Sequence, residues 1–399
     1  MAIGREAQWR SAPLNVLSSD AVEDGARRTE GIPRAQAGLN ACRTDARAPL
    51  VAAIDGGGTK TVCLLGTADG AVIGVGRGGP LNALFVPVDE AIRSVRQAAL
   101  GALREACMDQ ADTAVLYASA PGASREILRA GIDGLISPAR LDVAGDEMAV
   151  LTGALVDDPG VVVLAGTGSF AVGRGRGSGD AHDRNARGIV TRGGWGPLLG
   201  DEGSAYAIGL AALRAVALDC DGRGERTALS ELALEHFNLS NARALATTSI
   251  SREQIASFAV QVSKASRVGD AVASAILTQA GRDLGRLGVS VLRELDRRGE
   301  LGEWDGQSGL GELGGAEDGH RRGTLAVMTG GVSRAAALLV EAFQNEILSF
   351  SPDIQIAPPR YSPAGGALLM ALRIAGLRES GEVPAGMQAS ALARPELGE

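Results

Sequence analysis

The sequence predicts an α/β fold of two similarly built domains that face a shared cleft. Three observations carry this expectation. The chain has 399 residues, more than the ~250–300 at which a single hydrophobic core stops growing. A strand–glycine turn–strand pattern occurs twice, the turns opening at Gly56 and Gly166. After the opening hairpins, strand-like apolar runs alternate with helical stretches, the pattern of α/β architecture.

The elements follow in order. Residues 1–49 carry scattered Arg, Asp, Ser and Pro without a sustained period and read as a disordered extension. The β-branched run at 51–55 predicts a strand, followed by a glycine turn, a strand over 61–66, the Asp69-Gly70 hairpin turn and a strand over 71–77. Helical periodicity covers 88–106 and 122–134, with a strand at 113–118 between them. A short strand, Leu141 to Asp146, leads into a helix over 147–156. Strand 161–165, the turn Gly166-Thr167-Gly168-Ser169 and a return strand from Phe170 repeat the opening. Further helices are predicted from Gly200 to about 218, over 252–265 and over 270–298. A Gly- and Glu-rich insertion at 299–323 precedes strand 324–328, helix 334–349, strand 354–357 and helix 363–376. Residues 377–399 are expected to be an unstructured tail. The expected domains are therefore 50–145, completed by helix 363–376, and 146–362.

Composition excludes several classes. The net charge is −8 without a basic block, which argues against nucleic acid and anionic membrane surfaces. No apolar run approaches the ~18 residues of a membrane span, and no signal-peptide core opens the chain. The four cysteines lie far apart and there are three histidines, so no zinc or iron–sulfur site is written locally. Free thiols in a reducing cytoplasm, where ATP is available, are expected.

Asp55-Gly56-Gly57-Gly58-Thr59-Lys60 is the most informative stretch. Glycines let backbone N–H groups approach an anion closely. Asp55 is suited to hold a hydrated Mg²⁺, and Thr59 and Lys60 to reach terminal phosphates. The alternative is an ordinary Gly-rich hairpin. Gly166, Thr167 and Gly168 form a second candidate phosphate turn. Thr329-Gly330-Gly331-Val332-Ser333 suits an adenosine seat, or is a plain strand–helix turn. There is no G-x-x-x-x-G-K-[ST] motif, and the opening turn leads into a strand, so neither a P-loop nor a dinucleotide fold is indicated. Asp146, taken alone, reads as a helix N-cap.

The ordered motifs Asp55-Gly-Gly-Gly-Thr-Lys60, Gly79-Pro80-Leu81-Asn82, Val143-Ala-Gly-Asp146, Gly166-Thr-Gly-Ser169, Gly193-Gly-Trp-Gly196, Gly200-Asp-Glu-Gly-Ser204 and Gly330-Gly-Val-Ser-Arg334 span most of the chain. Together they resemble the BadF/BadG/BcrA/BcrD family and its N-acetylglucosamine kinase branch, within the sugar kinase/Hsp70/actin superfamily. The resemblance implies two actin-like (ribonuclease H-like) domains with a nucleotide and sugar cleft between them. It also implies an ATP- and Mg²⁺-dependent kinase that phosphorylates an amino sugar, N-acetylglucosamine or glucosamine, at the 6-hydroxyl. Asp146 matches the general base of such kinases. Asn82, Thr167, Gly194, Trp195 and Asp201 match sugar-side positions. Gly57, Gly58, Thr59, Lys60, Gly166, Thr167, Gly168, Gly330, Gly331 and Ser333 match nucleotide-side ones, with Asp55 for the metal. A homodimer is one expected assembly. The alternatives are an N-acetylmuramic acid kinase, or an ATPase that activates a radical dehydratase or reductase. The latter needs cluster-ligating cysteines near the 329–334 turn, and none of the four falls there.

Overall fold

The computed structural model describes residues 49–83, 85–176, 188–301, 323–334, 336–378 and 383–393. The expected extension over 1–48 and most of the expected insertion, 302–322, lie outside the described residues. The first half contains β1 (Leu50–Gly56), β2 (Thr61–Gly66), β3 (Val72–Gly78), α1 (Val88–Glu105), β4 (Ala111–Ser119), α2 (Arg125–Ile132), β5 (Ile136–Ala144) and α3 (Glu147–Leu155). The second contains β6 (Gly160–Ala165), β7 (Ser169–Arg174) and β8 (Ile189–Gly193). Helices α4 (Gly196–Leu199), α5 (Ala205–Cys220), α6 (Leu229–Phe237), α7 (Arg252–Ser257), α8 (Ala259–Arg267) and α9 (Ala271–Arg297) follow. It closes with β9 (Leu325–Thr329), α10 (Ala337–Phe350), β10 (Gln355–Ala357), α11 (Pro363–Ile374) and α12 (Ala385–Ala393).

Among the described residues the strands form two five-stranded sheets of one plan, β3-β2-β1-β4-β5 and β8-β7-β6-β9-β10. In each, the first three strands are antiparallel, and the central strand pairs in parallel with a later one. The repeat legible around Gly56 and Gly166 is thus the repeat of a whole sheet.

Strand β1 is apolar without alternation because helices cover both of its faces. Ala52 and Ile54 pack in the core with α1, while Val51 and Ala53 pack with α11. The pair α3 and α11 shares one core with strands of both sheets, including Val162, Phe170 and Val327 of the second. These two helices touch almost backbone to backbone. A Cβ on Gly366 would lie 1.9 Å from the Ala149 carbonyl oxygen, and one on Gly153 would lie 2.6 Å from that of Ser362. Below this contact Asp157 accepts hydrogen bonds from Arg174 of β7 and from Arg373 of α11, the latter at 2.6 Å.

Five expectations need correction. The tail is not wholly unstructured, because α12 packs beside β3. Its Ser390 hydroxyl accepts from the Val72 N–H at 2.9 Å, and Met387 is buried with Val156, Tyr361 and Leu369. Helix 252–265 is two helices, breaking at Phe258, which is fully buried. The helix expected from 334 begins at Ala337, because the Ser333 N–H and hydroxyl both donate back to the Gly330 carbonyl and close a 3₁₀ turn first. The strand before Asp146 is longer and earlier than expected and ends at Ala144, so Asp146 stands outside it. Finally, the sequence predicts no element at β8, α4 or α6, which carry no strong local signal.

Candidate active site

The first glycine turn and the segment after β3 are built as one unit. The Gly57 N–H donates to the Lys60 carbonyl at 3.0 Å, closing the turn. The Gly57 carbonyl then accepts from the N–H groups of Leu81 (3.0 Å) and Asn82 (3.2 Å), and the Thr61 hydroxyl donates to the Gly79 carbonyl at 2.7 Å. Asn82 is thereby held beside the turn. A Cβ on Gly57, Gly58, Gly166 or Gly331 would meet no atom within 4 Å, so packing does not explain these glycines. Their backbone is open to close approach from outside the protein.

The parallel pairing of β1, β4 and β5 puts their C-terminal ends on one edge, with Asp55 opposite Ser119 and Ser119 opposite Ala144. Burial pushes the Asp55 carboxyl up to about 6, against the pull of the Lys60 ammonium and the Ser119 hydroxyl. That hydroxyl, at 0% exposure, closes no hydrogen bond of good geometry. Two residues past Ala144, Asp146 occupies the N-cap of α3 without its side chain accepting from the helix. The capping role open in the sequence is not taken up. Burial first, then repulsion from Glu147 and Asp55, raises the Asp146 carboxyl to about 7. Two carboxylates that feel each other's charge, one beside an orphaned hydroxyl, suit a hydrated divalent cation and a proton acceptor. Among the described residues there is no group of three or more His, Cys, Asp or Glu that could hold a metal by itself.

The second glycine turn faces α5. The Gly166 carbonyl accepts from the Ala205 N–H at 2.9 Å, and the Thr167 carbonyl from the Tyr206 N–H at 3.4 Å. Asp201, expected on the sugar side, is only 3% exposed and is engaged within the protein. Its Oδ1 accepts from the Ser169 N–H at 3.1 Å and its Oδ2 from Arg252 at 2.8 Å. A Cβ on Gly168 would lie 2.7 Å from that Oδ1, so Gly168 is fixed by this close approach. The Gly194 N–H donates to the Ser169 carbonyl at 3.1 Å, placing Gly194 beside the turn. Trp195 is 74% exposed at the start of α4, so it is not core filler. The third turn abuts the second, since a Cβ on Gly330 would lie 2.5 Å from the Ala165 carbonyl oxygen. Ser333, expected at the nucleotide, donates its hydroxyl to the Gly330 carbonyl at 2.7 Å.

Three residues escaped the sequence reading. Ser119 ends an apolar run with nothing to mark it. Phe85 is one of six phenylalanines. Arg252 follows Ser251, whose capping box with Gln254 signals a helix start but says nothing of a buried partner. Three cysteines lie among the described residues. Cys63 is inside β2, where burial pushes its thiol to about 12, and Cys107 and Cys220 are exposed at helix ends.

Two sheets of one plan, each opening on a glycine hairpin, define an α/β protein of two actin-like (ribonuclease H-like) domains. The chain belongs to the BadF/BadG/BcrA/BcrD ATPase family, whose model matches residues 53–371. It is 30% identical over 242 residues to an N-acetylmuramic acid/N-acetylglucosamine kinase of Clostridium acetobutylicum, covering 59% of this chain and 76% of that one. It is also 30% identical over 219 residues to an N-acetyl-D-glucosamine kinase of Dictyostelium discoideum, covering 53% and 59%. Among solved structures, a Chromobacterium violaceum protein provisionally described as an N-acetylglucosamine kinase superposes with a TM-score of 0.59. That match covers 81% of this chain and 99% of the other at 23% identity, and supports the fold. Among the described residues no helix is long and apolar enough to cross a membrane.

Proposed function

We propose that this protein is an ATP-dependent kinase that phosphorylates an amino sugar at its 6-hydroxyl, N-acetylglucosamine first and glucosamine second. The observation that carries the reading is Asp146: a carboxylate at a helix N-terminus that does not cap the helix, raised to about 7 beside Asp55. A base with that value is matched to taking a hydroxyl proton near neutral pH.

In this reading Asp146 Oδ accepts the proton of the sugar hydroxyl as that oxygen bonds to the γ-phosphorus and the bridge to the β-phosphate breaks, releasing ADP. Such transfer depends mainly on positioning and on charge stabilisation. The first turn, Gly57 and Gly58 with Thr59 and Lys60, cradles the β- and γ-phosphates. Gly166 to Gly168 approaches the same phosphates from the other domain, and Gly330 with Gly331 seats the nucleoside. Ser333 braces that third turn through Gly330. Mg²⁺, held by Asp55 through water with the orphaned Ser119 hydroxyl as an added partner, would neutralise phosphate charge. Asn82, Thr167, Gly194 and Trp195 line the sugar side, with Asp201 acting behind Ser169. The domains divide at about residue 145, and helix 363–376 returns to complete the first.

The test is ADP release from Mg-ATP with N-acetylglucosamine, glucosamine, N-acetylmuramic acid, glucose or no sugar. Stimulation of at least tenfold by N-acetylglucosamine or glucosamine, with the phosphate found on O6, is the expected result. Steady hydrolysis indifferent to every sugar would overturn the reading.

A further inference from the structure

Arg252 joins parts of the molecule that sequence keeps far apart. Its guanidinium donates to Asp201 Oδ2 at 2.8 Å, and Asp201 Oδ1 holds the Ser169 N–H that follows the second glycine turn. The same guanidinium lies over the ring of Phe85, 4.5 Å from its centroid. Phe85 belongs to the segment between β3 and α1, and its N–H donates to the Asn82 carbonyl at 3.0 Å. Asn82 in turn donates its N–H to the Gly57 carbonyl of the first glycine turn.

We infer that Arg252 is a positioning residue that clasps the first glycine turn to the second, through Phe85 and Asn82 on one side and Asp201 and Ser169 on the other. The inference rests on the kinase reading for its kinetic consequence, not for its geometry. An ion pair alone would explain Arg252 as a counter-charge, since an unpaired buried carboxylate is costly. It would not explain Phe85, an aromatic 47% exposed and stacked on the arginine from the neighbouring domain. Arginine suits the double task, because its planar guanidinium can pair at its edge and stack on its face. Lysine, a compact point charge, can meet Asp201 but cannot do both.

The geometry makes Phe85 the informative position, because a half-exposed side chain can be changed without disturbing the core. F85L removes the ring but keeps an apolar side chain, F85W keeps the stacking, and R252K keeps the charge. Losing one such contact is expected to lower kcat/KM for the sugar about three- to thirtyfold. In F85L this loss should come mainly through a raised sugar KM with Tm within about 2 °C of the parent, and F85W should restore parental values. R252K should show a loss of the same size, and F85L/R252K should be no worse than the poorer single variant, as coupled residues require. Parental kinetics in F85L, or full additivity in the double variant, would overturn the clasp and leave Arg252 as a counter-ion. A parallel cycle on ligand-free protein, read as urea midpoints, separates the two ideas. If no sugar stimulates the parent, the kinase reading fails; the clasp then stands on non-additive midpoints and falls on additive ones.

Discussion

Replacing Asp146 by Asn should make the protein more stable and nearly inactive at once. Burial raises the carboxyl from an ordinary 3.8 to about 7. Each tenfold change in proton affinity is worth ~1.4 kcal/mol, so keeping this group ionised in the folded state costs up to about 4 kcal/mol at pH 8. Asp146 is half-buried rather than enclosed, so about 2–4 kcal/mol is expected after solvent screening. The sign follows from proton binding. Between pH 4 and 7 the folded protein holds a proton that the unfolded chain has released, so this group's stabilising share is complete below pH 4 and fades as pH rises through 7. Asparagine stays neutral throughout. The advantage of D146N should therefore be near zero at pH 4, grow through pH 6 and level off above pH 7, as read by urea unfolding at pH 4, 6 and 8. In the same variant kcat should fall about 10²–10⁴-fold, as loss of a general base predicts. Nucleotide and sugar affinity should stay within a few-fold. In the parent, kcat/KM should rise with pH to a plateau above 7. Activity within threefold of the parent, or a stability difference independent of pH, would refute the reasoning.

Other substitutions separate structural from ligand-directed roles. S119A removes a buried hydroxyl without a closed hydrogen bond, so at pH 4, where folded Asp55 is protonated, stability should not fall. It also removes a group that pulls the Asp55 carboxyl down, so the Mg²⁺ needed for half-maximal activity should rise several-fold at pH 6.5 and less at pH 8. G57A adds a Cβ that meets nothing in the protein; unfolding should change by about 0.5–1 kcal/mol at most, while KM for Mg-ATP rises at least tenfold in a coupled assay. G168A should lose stability as well as activity, because its Cβ would crowd Asp201 Oδ1 at 2.7 Å. G366A would press on the Ala149 carbonyl from 1.9 Å, forcing α3 and α11 apart at a cost of about 1–3 kcal/mol or more in denaturant unfolding.

Local chemistry wrote part of this molecule directly into the chain. β-branched runs broken by glycines gave the hairpins, an Asp-Gly pair gave the turn between β2 and β3, and the recurrence around Gly56 and Gly166 gave two equivalent sheets. Asp55 and Asp146 stand out in the sequence because each lies at or just past the end of a strand within an ordered set of motifs. Which polar groups meet depends instead on how distant segments pack. Asp201 and Arg252 pair across 51 positions, and no periodicity encodes a distance of that kind. Asp146 reads as a cap in the sequence, and only the fold shows that its carboxylate makes no cap hydrogen bond and feels the charge of Asp55. Ser119 became notable only when parallel pairing set it against Asp55. The helix at 385–393 was unreadable for a related reason: its Met387 is buried against Val156, Tyr361 and Leu369, residues from earlier in the chain that supply the apolar surface its own short sequence lacks.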